Sequence, residues 1–205
     1  NPAYRSTLIF LYTFEVSMNL KNSDSFNLSS ICKESSLALE VIQSHLRKTP
    51  CRLSEDFSEQ LGFDLYLKLE NLQRTGSFKT RGSMYAISKL DKVQRKSGVV
   101  TASAGNHAQG VAFAAKQLGI YSLVVMPEST ANTKLDAVKA LGSEVELYGA
   151  TFDDAYARAK EYESSRGLVM IHPFDDFDVI AGQGTVALEI LEQVPDVENI
   201  IVSVG

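Results

Sequence analysis

The sequence is poor in the residues that build disulfide or metal-held scaffolds. It has two cysteines, Cys32 and Cys51, in 205 residues, and they form no metal-ligand spacing. A disulfide framework is therefore excluded, no metal site is expected, and a reducing, cytoplasmic setting fits better. No dense Lys/Arg stripe occurs and the formal net charge is −5, which argues against a nucleic-acid partner. The apolar run Leu8 to Phe14 (LIFLYTF) is too short to span a bilayer, so no membrane partner is expected. No internal repeat or low-complexity tract stands out. What remains is ordinary globular composition, 44% hydrophobic and 22% charged, with enough apolar material for a sizeable core in one or two domains.

The chain begins at Asn1 rather than methionine. The run Leu8 to Phe14 follows Arg5, but no small-residue cleavage pattern follows it, so an extension is favoured over a signal-peptide core, with Met18 as an alternative start. Ser23 to Ser30 is rich in Ser and Asn and reads as a flexible join. Residues 1–30 are accordingly expected to form a flexible N-terminal extension.

Beyond it, Ser35 or Ser36 can cap a helix to about Arg47, ended by Pro50. Asp64 to Glu70 alternates, with Leu65, Leu67 and Leu69 on one face, and reads as a strand with that face buried. Ser77 reads as the N-cap of a helix to about Leu90. From Gly98 the pattern is regular: strand 98–102, helix 106–118 stopped by Gly119, strand 120–126, helix 133–141 stopped by Gly142, strand 144–148, helix 152–165 stopped near Gly167, strand 168–171, helix 184–193 and strand 199–204. This alternation predicts an α/β fold with parallel sheets and right-handed crossovers. Ligands in such sheets collect at the carboxyl ends of the strands. Gly182-Gln183-Gly184 lacks the third glycine and the preceding strand of a dinucleotide fingerprint, and reads instead as a tight entry to a helix.

Two stretches carry chemistry. In ENLQRTGSFKTRG, Glu70 to Gly82, Lys79 follows Gly76, Ser77 and Phe78. An exposed lysine in a first helical turn is the default, but three features argue otherwise. Gly76-Ser77 lets the backbone approach a ligand closely. The helix start carries free N–H groups and a positive dipole end that disfavours an ammonium. Arg81 lies close and would add to that effect. A lysine whose charge is disfavoured is a nucleophile suited to Schiff-base chemistry. In TASAGNHAQGVA, Thr101 to Ala112, a strand runs through a small-residue turn into a helix. Ser103, Gly105 and the helix-start N–H groups make a ready anion site. Asn106 offers both a donor and an acceptor. His107 is either catalytic or packed at the helix start to hold the loop, and the second reading is favoured.

GSFKTRG together with SAGNHAQG resembles the fold-type-II pyridoxal-phosphate enzymes, and most closely the threonine/serine dehydratases (threonine ammonia-lyases), with the serine racemases near. VVMPEST, Val124 to Thr130, and HPFDDFDVIAGQGTVALEI, His172 to Ile190, match in order and spacing. The resemblance runs from about Ser35 to Gly205. It implies a tryptophan-synthase-β-like fold of two α/β domains: 31–97 with 173–205 as a large cofactor-binding domain, truncated at its C-terminus, and 98–172 as a smaller inserted one. It implies pyridoxal 5'-phosphate as cofactor, Lys79 as the Schiff-base residue and proton shuttle, Phe78 beside the cofactor ring and Asn106 on the pyridine 3'-oxygen. The loop Ser103, Ala104, Gly105, Asn106 and His107 is then the holder of the substrate carboxylate. The implied reaction is loss of water from L-threonine or L-serine, giving a 2-oxo acid and ammonia, in an enzyme that is usually a homo-oligomer.

The alternatives are a serine racemase or an inactive fragment of either enzyme. Racemases of the family often carry a serine where Ala104 stands, and a polar residue in place of Phe174. Ala131 departs from the usual proline. The family's glycine-rich phosphate cradle follows VSVG, so only Gly205 of it is present, and weak or no activity is expected of the chain alone.

Overall fold

The computed structural model describes residues 7–11 and 27–202. It contains two four-stranded sheets. The first is built from β1 (Thr7–Leu11), β2 (Cys51–Leu53), β3 (Asp64–Lys68) and β8 (Asn199–Val202), in the order β2-β3-β1-β8. The second is built from β4 (Val99–Ala102), β5 (Ser122–Met126), β6 (Glu144–Leu147) and β7 (Val169–Met170), in the order β6-β5-β4-β7. Every pairing in the second sheet is parallel, as the β/α alternation requires. In the first, β1 runs parallel to β3 and β8, while β2 runs antiparallel to β3. That antiparallel edge departs from the all-parallel expectation. β2 follows Pro50 in a segment without alternation of its own and is drawn in by the ladder of β3. Part of the expected flexible extension is likewise a strand, since Thr7–Leu11 pairs on both sides.

The helices are α1 (Leu28–Ile42), α2 (Glu55–Leu61), α3 (Lys79–Ser88), α4 (Lys92–Ser97), α5 (Asn106–Leu118), α6 (Asn132–Ala140), α7 (Phe152–Arg166) and α8 (Phe177–Gln193), with a 3-10 turn at Glu70–Leu72. Helix α1 starts seven or eight residues before the expected cap, because Asn27 accepts a hydrogen bond from the Ser29 N–H. Ser35 is instead buried within it. Helix α8 starts at Phe177, capped by Asp176 through the Val179 N–H. The Gly182–Gly184 stretch is thus inside a helix, not at its entry. A Cβ on Gly182 would lie 2.6 Å from the Gly82 Cα, and one on Gly82 would lie 2.5 Å from the Val179 carbonyl oxygen. The two glycines let α3 and α8 cross in backbone contact.

The helices pack on one another around a shared buried cluster. It joins Ala38 and Ile42 of α1, Met84 and Ile87 of α3, Val111 and Ala115 of α5, and Val179 and Ala181 of α8. Truncating Ile42 or Ile87, both at most 1% exposed, removes contacts on every side, a change that typically costs about 2–5 kcal/mol. Among the described residues no helix is long and apolar enough to cross a membrane.

Candidate active site

Lys79 is the first residue of α3 and is buried. Its Nζ donates to the Pro173 carbonyl at 2.9 Å and lies 5.5 Å from the centroid of the Phe78 ring. The expected N-cap shifts: Phe78 holds the cap position without a side-chain bond, and the helix starts two residues after Ser77. The Ser77 hydroxyl is buried and has no hydrogen-bond partner among the described residues. Phe78 is half-buried and packs toward the cluster of Val186, Ile190 and Val194 on and after α8. Gly76, at φ +74°, takes the left-handed turn that delivers this segment to the helix.

The loop Ser103-Ala104-Gly105 leaves the carboxyl end of β4 and enters α5 at Asn106. The Ser103 hydroxyl accepts from the Gly105 N–H at 3.2 Å, which closes the loop locally. Ser103, Ala104 and Gly105 are half-buried and Asn106 is exposed. Helix α5 lies directly on α3: a Cβ on Gly110 would meet the Lys79 carbonyl oxygen at 3.2 Å. Helix α3 thus starts at the buried amine, and α5 packs on that start about one turn beyond its own first residue.

His107 is packed, not open. It is 3% exposed, and its Nε2 lies 3.0 Å from the Ile171 carbonyl, which also accepts from the Thr101 hydroxyl at 2.8 Å. The carbonyl fixes the proton on Nε2 and leaves Nδ1 bare, buried and without a partner among the described residues. Burial pushes its pKa down to about 3, against the pull of the Ile171 carbonyl; the Lys79 charge lowers it further. Folding thus holds the ring neutral while the unfolded chain protonates it. Its contribution to stability is present above about 6.5 and is lost as pH falls toward about 3. In His107→Gln the drop of the thermal midpoint between pH 6.5 and 4 is expected to be shallower than in the parent. Parallel pH curves for the two would mean that the ring does not carry it.

Two features were hidden from the sequence. The first is the segment after β7, where Pro173 is buried and supplies the acceptor for Lys79. The second is a buried ion cluster. Arg81 forks onto Glu70 (2.9 and 2.8 Å) and onto Glu189 (2.7 and 2.9 Å), and Lys68 donates to Glu189 and to the Thr49 carbonyl, both at 2.6 Å. The Thr49 hydroxyl bonds Glu70. Lys68, the last residue of β3, and Glu70, in the 3-10 turn that follows, are fully buried where an open strand face was expected. Arg81 is fully engaged by two carboxylates, so its expected effect on Lys79 is neutralised. Burial opposes the charge of Glu189, but the bonds from Arg81 and Lys68 outweigh it and hold its carboxyl below the usual value.

The donor set suits an aldehyde-bearing, anionic ring cofactor: a buried amine, an unpartnered buried hydroxyl, a ring beside them and two helix N-termini. Gly205, the expected start of a phosphate cradle, lies outside the described residues. The architecture is that of the fold-type-II α/β enzymes. The chain belongs to the pyridoxal-phosphate dependent enzyme family, whose profile matches residues 42–205. It is 50% identical over 164 residues to an L-threonine ammonia-lyase of Geobacter sulfurreducens, covering 80% of this chain and 41% of that protein. Among solved structures it is similar to the processed form of threonine deaminase isoform 2 from Solanum lycopersicum (TM-score 0.78, 39% identity, 89% of this chain and 51% of that one). It is also similar to serine racemase from Dictyostelium discoideum (TM-score 0.75, 41% identity, 79% and 53%). The chain thus spans about two-fifths to half the length of these relatives.

Proposed function

We propose that this chain carries the lysine-bearing part of a threonine/serine dehydratase, which removes water from a small β-hydroxy amino acid and releases a 2-oxo acid and ammonia. The observation that carries the reading is the seat of Lys79, a buried amine at the start of α3 with α5 packed on its backbone. Pyridoxal phosphate, when bound, supplies a carbonyl for amines and a ring that withdraws charge from the substrate Cα. Lys79 Nζ would hold the cofactor carbonyl and would be the base for the Cα proton; its burial keeps bulk water away from the amine. The N–H groups of Ala104, Asn106 and His107 at the start of α5 would receive the substrate carboxylate, while those of Ser103 and Gly105 hold the loop through the Val125 carbonyl and the Ser103 hydroxyl. Asn106 would offer its amide to the ring oxygen, and Phe78 and the Ser77 hydroxyl would line the seat from the α3 side. The two sheets support a division into a large part, 31–97 with 173–205, and a smaller inserted part, 98–172.

A racemase needs a second proton donor on the far face of the carbanion. The loop offers a methyl group there, Ala104, half-buried between Ser103 and Gly105. That favours elimination. Borohydride reduction of the whole protein with pyridoxal phosphate, followed by peptide mapping, is expected to place the label on Lys79, and L-threonine is expected to give 2-oxobutanoate. A label on another side chain would end the reading. Faster formation of D-serine than of pyruvate from L-serine would transfer it to the racemase.

A further inference from the structure

Between β7 and α8 the chain crosses the site as a strap, residues 171–176. Its start is tied to the second sheet, because the Ile171 carbonyl accepts from Thr101 and His107. Its end is tied to α8, because Asp176 caps that helix. In the middle the Pro173 carbonyl accepts from Lys79 Nζ at 2.9 Å. Proline has a fixed φ and no N–H, so the direction of its carbonyl depends on the peptide plane that follows. That plane contains the Phe174 N–H, which donates to His172 Nδ1 at 3.3 Å, and the next N–H, of Asp175, donates to the same nitrogen at 2.8 Å. The carbonyl that meets Lys79 and the N–H that meets His172 are thus two edges of one planar unit. The imidazole is itself held edge-on by Tyr156 (centroids 5.6 Å apart, 80° between planes) and by Phe174 (4.7 Å, 85°).

We propose that His172 is the positioning residue for the Lys79 amine, acting through the Pro173–Phe174 peptide plane. The proposal rests on the reading of Lys79 as the reactive amine, and it adds a residue that does not itself touch the reacting atoms. Its chemistry requires Nδ1 to be a bare acceptor, with the proton on Nε2. A second proton on Nδ1 would turn two donors against a donor, and the plane would be released. Among the described residues, the charged and titratable groups facing the ring are Asp175 and Asp176 on the strap, Lys160 and Tyr156 from α7, Lys79 from α3 and His107 from α5. Burial is the largest influence and lowers the His172 pKa; the two aspartates oppose it, and Lys160 and Lys79 assist it. The acceptor is therefore retained at neutral pH and lost as pH falls below the ordinary histidine range.

The test reads the amine without the cofactor. Trace acetylation of the whole apoprotein, quantified by peptide mass spectrometry, gives the reactivity of Lys79 relative to the exposed Lys92 and Lys134. His172→Leu removes the acceptor, frees the amine from its carbonyl and is expected to raise relative labelling of Lys79 by roughly fivefold to tenfold, the scale of one lost hydrogen bond. His172→Asn keeps an acceptor that can gather the same N–H groups in an Asx turn, and is expected to stay within about twofold of the parent. The parent should show a step in relative labelling below pH 6.5 that His172→Asn lacks, because an amide does not titrate there; this comparison needs only a variant that keeps its turn. Equal labelling in parent and His172→Leu, or the same acid step in His172→Asn, overturns the proposal. Labelling that shifts as expected while borohydride fails to mark Lys79 upholds the positioning and removes the functional reading instead.

Discussion

In the whole protein, Lys79→Ala is expected to lower threonine turnover by roughly 10⁴-fold or more, on the scale seen when a nucleophile and proton carrier is deleted. On the proposed reading two tasks fall on one amine: it would hold the cofactor carbonyl and move the Cα proton. Among the described residues no other group in the seat is placed to take either. Ser77 has a hydroxyl and no base beside it, His107 is committed to Ile171 and kept neutral by burial, and Arg81 is gripped by two carboxylates. Lys79→Arg separates charge from chemistry, since it keeps a cation with donors for the Pro173 carbonyl but cannot condense with an aldehyde. It is expected to fold like the parent, by thermal midpoint, and to be as inactive as the alanine variant. Turnover in Lys79→Arg above about one per cent of the parent would show that the amine is dispensable. Loss of the folded state in both variants would instead give Lys79 a structural task.

The regular half of the chain was legible because its stops are local. Gly119 and Gly167 close α5 and α7 in the left-handed conformation, at φ +67° each, and Gly142 follows α6 at φ +92°. Each is a backbone need that only its own residue expresses. The candidate site was legible for the same reason, since Gly76 and the Ser103–Gly105 turn announce a helix start that a ligand can approach. What stayed hidden depends on residues far apart in sequence. Lys68 and Glu70 alternate with leucines and look like an open strand face; they are buried because Glu189 and Arg81 arrive from α8 and α3 to neutralise them. The Gly82–Gly182 crossing likewise has no local pattern, as each glycine looks like an ordinary helix weakness until the partner backbone is in place. The length of α8 was misjudged because those internal glycines resemble a helix entry, while its real cap, Asp176, sits among three aspartates and two phenylalanines with no evident order.

Glu189→Ala is expected to destabilise the protein by about 3–5 kcal/mol, the usual cost of breaking a buried ion pair from one side. The cluster is balanced as it stands, with Lys68 and Arg81 against Glu70 and Glu189, all at most 3% exposed. Removing Glu189 strips Lys68 of the one carboxylate it meets among the described residues and Arg81 of one of its two, so two buried cations share one anion. Lys68 is the weaker member, because burial already lowers its pKa and the bond to Glu189 is the largest opposing influence. The neutral amine is therefore the expected escape, and stability of the variant should rise with pH as Lys68 sheds its proton. The parent should behave in the opposite region of the scale. Its Glu189 pKa is depressed, so the stabilisation is present above the ordinary carboxylate value and is lost as pH falls through the lowered one. Urea midpoints from pH 4 to 9 separate these cases. A parent-like midpoint in Glu189→Ala would mean that the cluster is hydrated and weak. The position of the cluster makes it matter to the chemistry too, because Arg81 lies two residues from Lys79 on α3 and ties that helix to the 3-10 turn after β3 and to α8. Any Glu189→Ala protein that remains folded is therefore expected to lose the fixed contact between Lys79 and Pro173, and relative acetylation of Lys79 should rise in it as it does in His172→Leu.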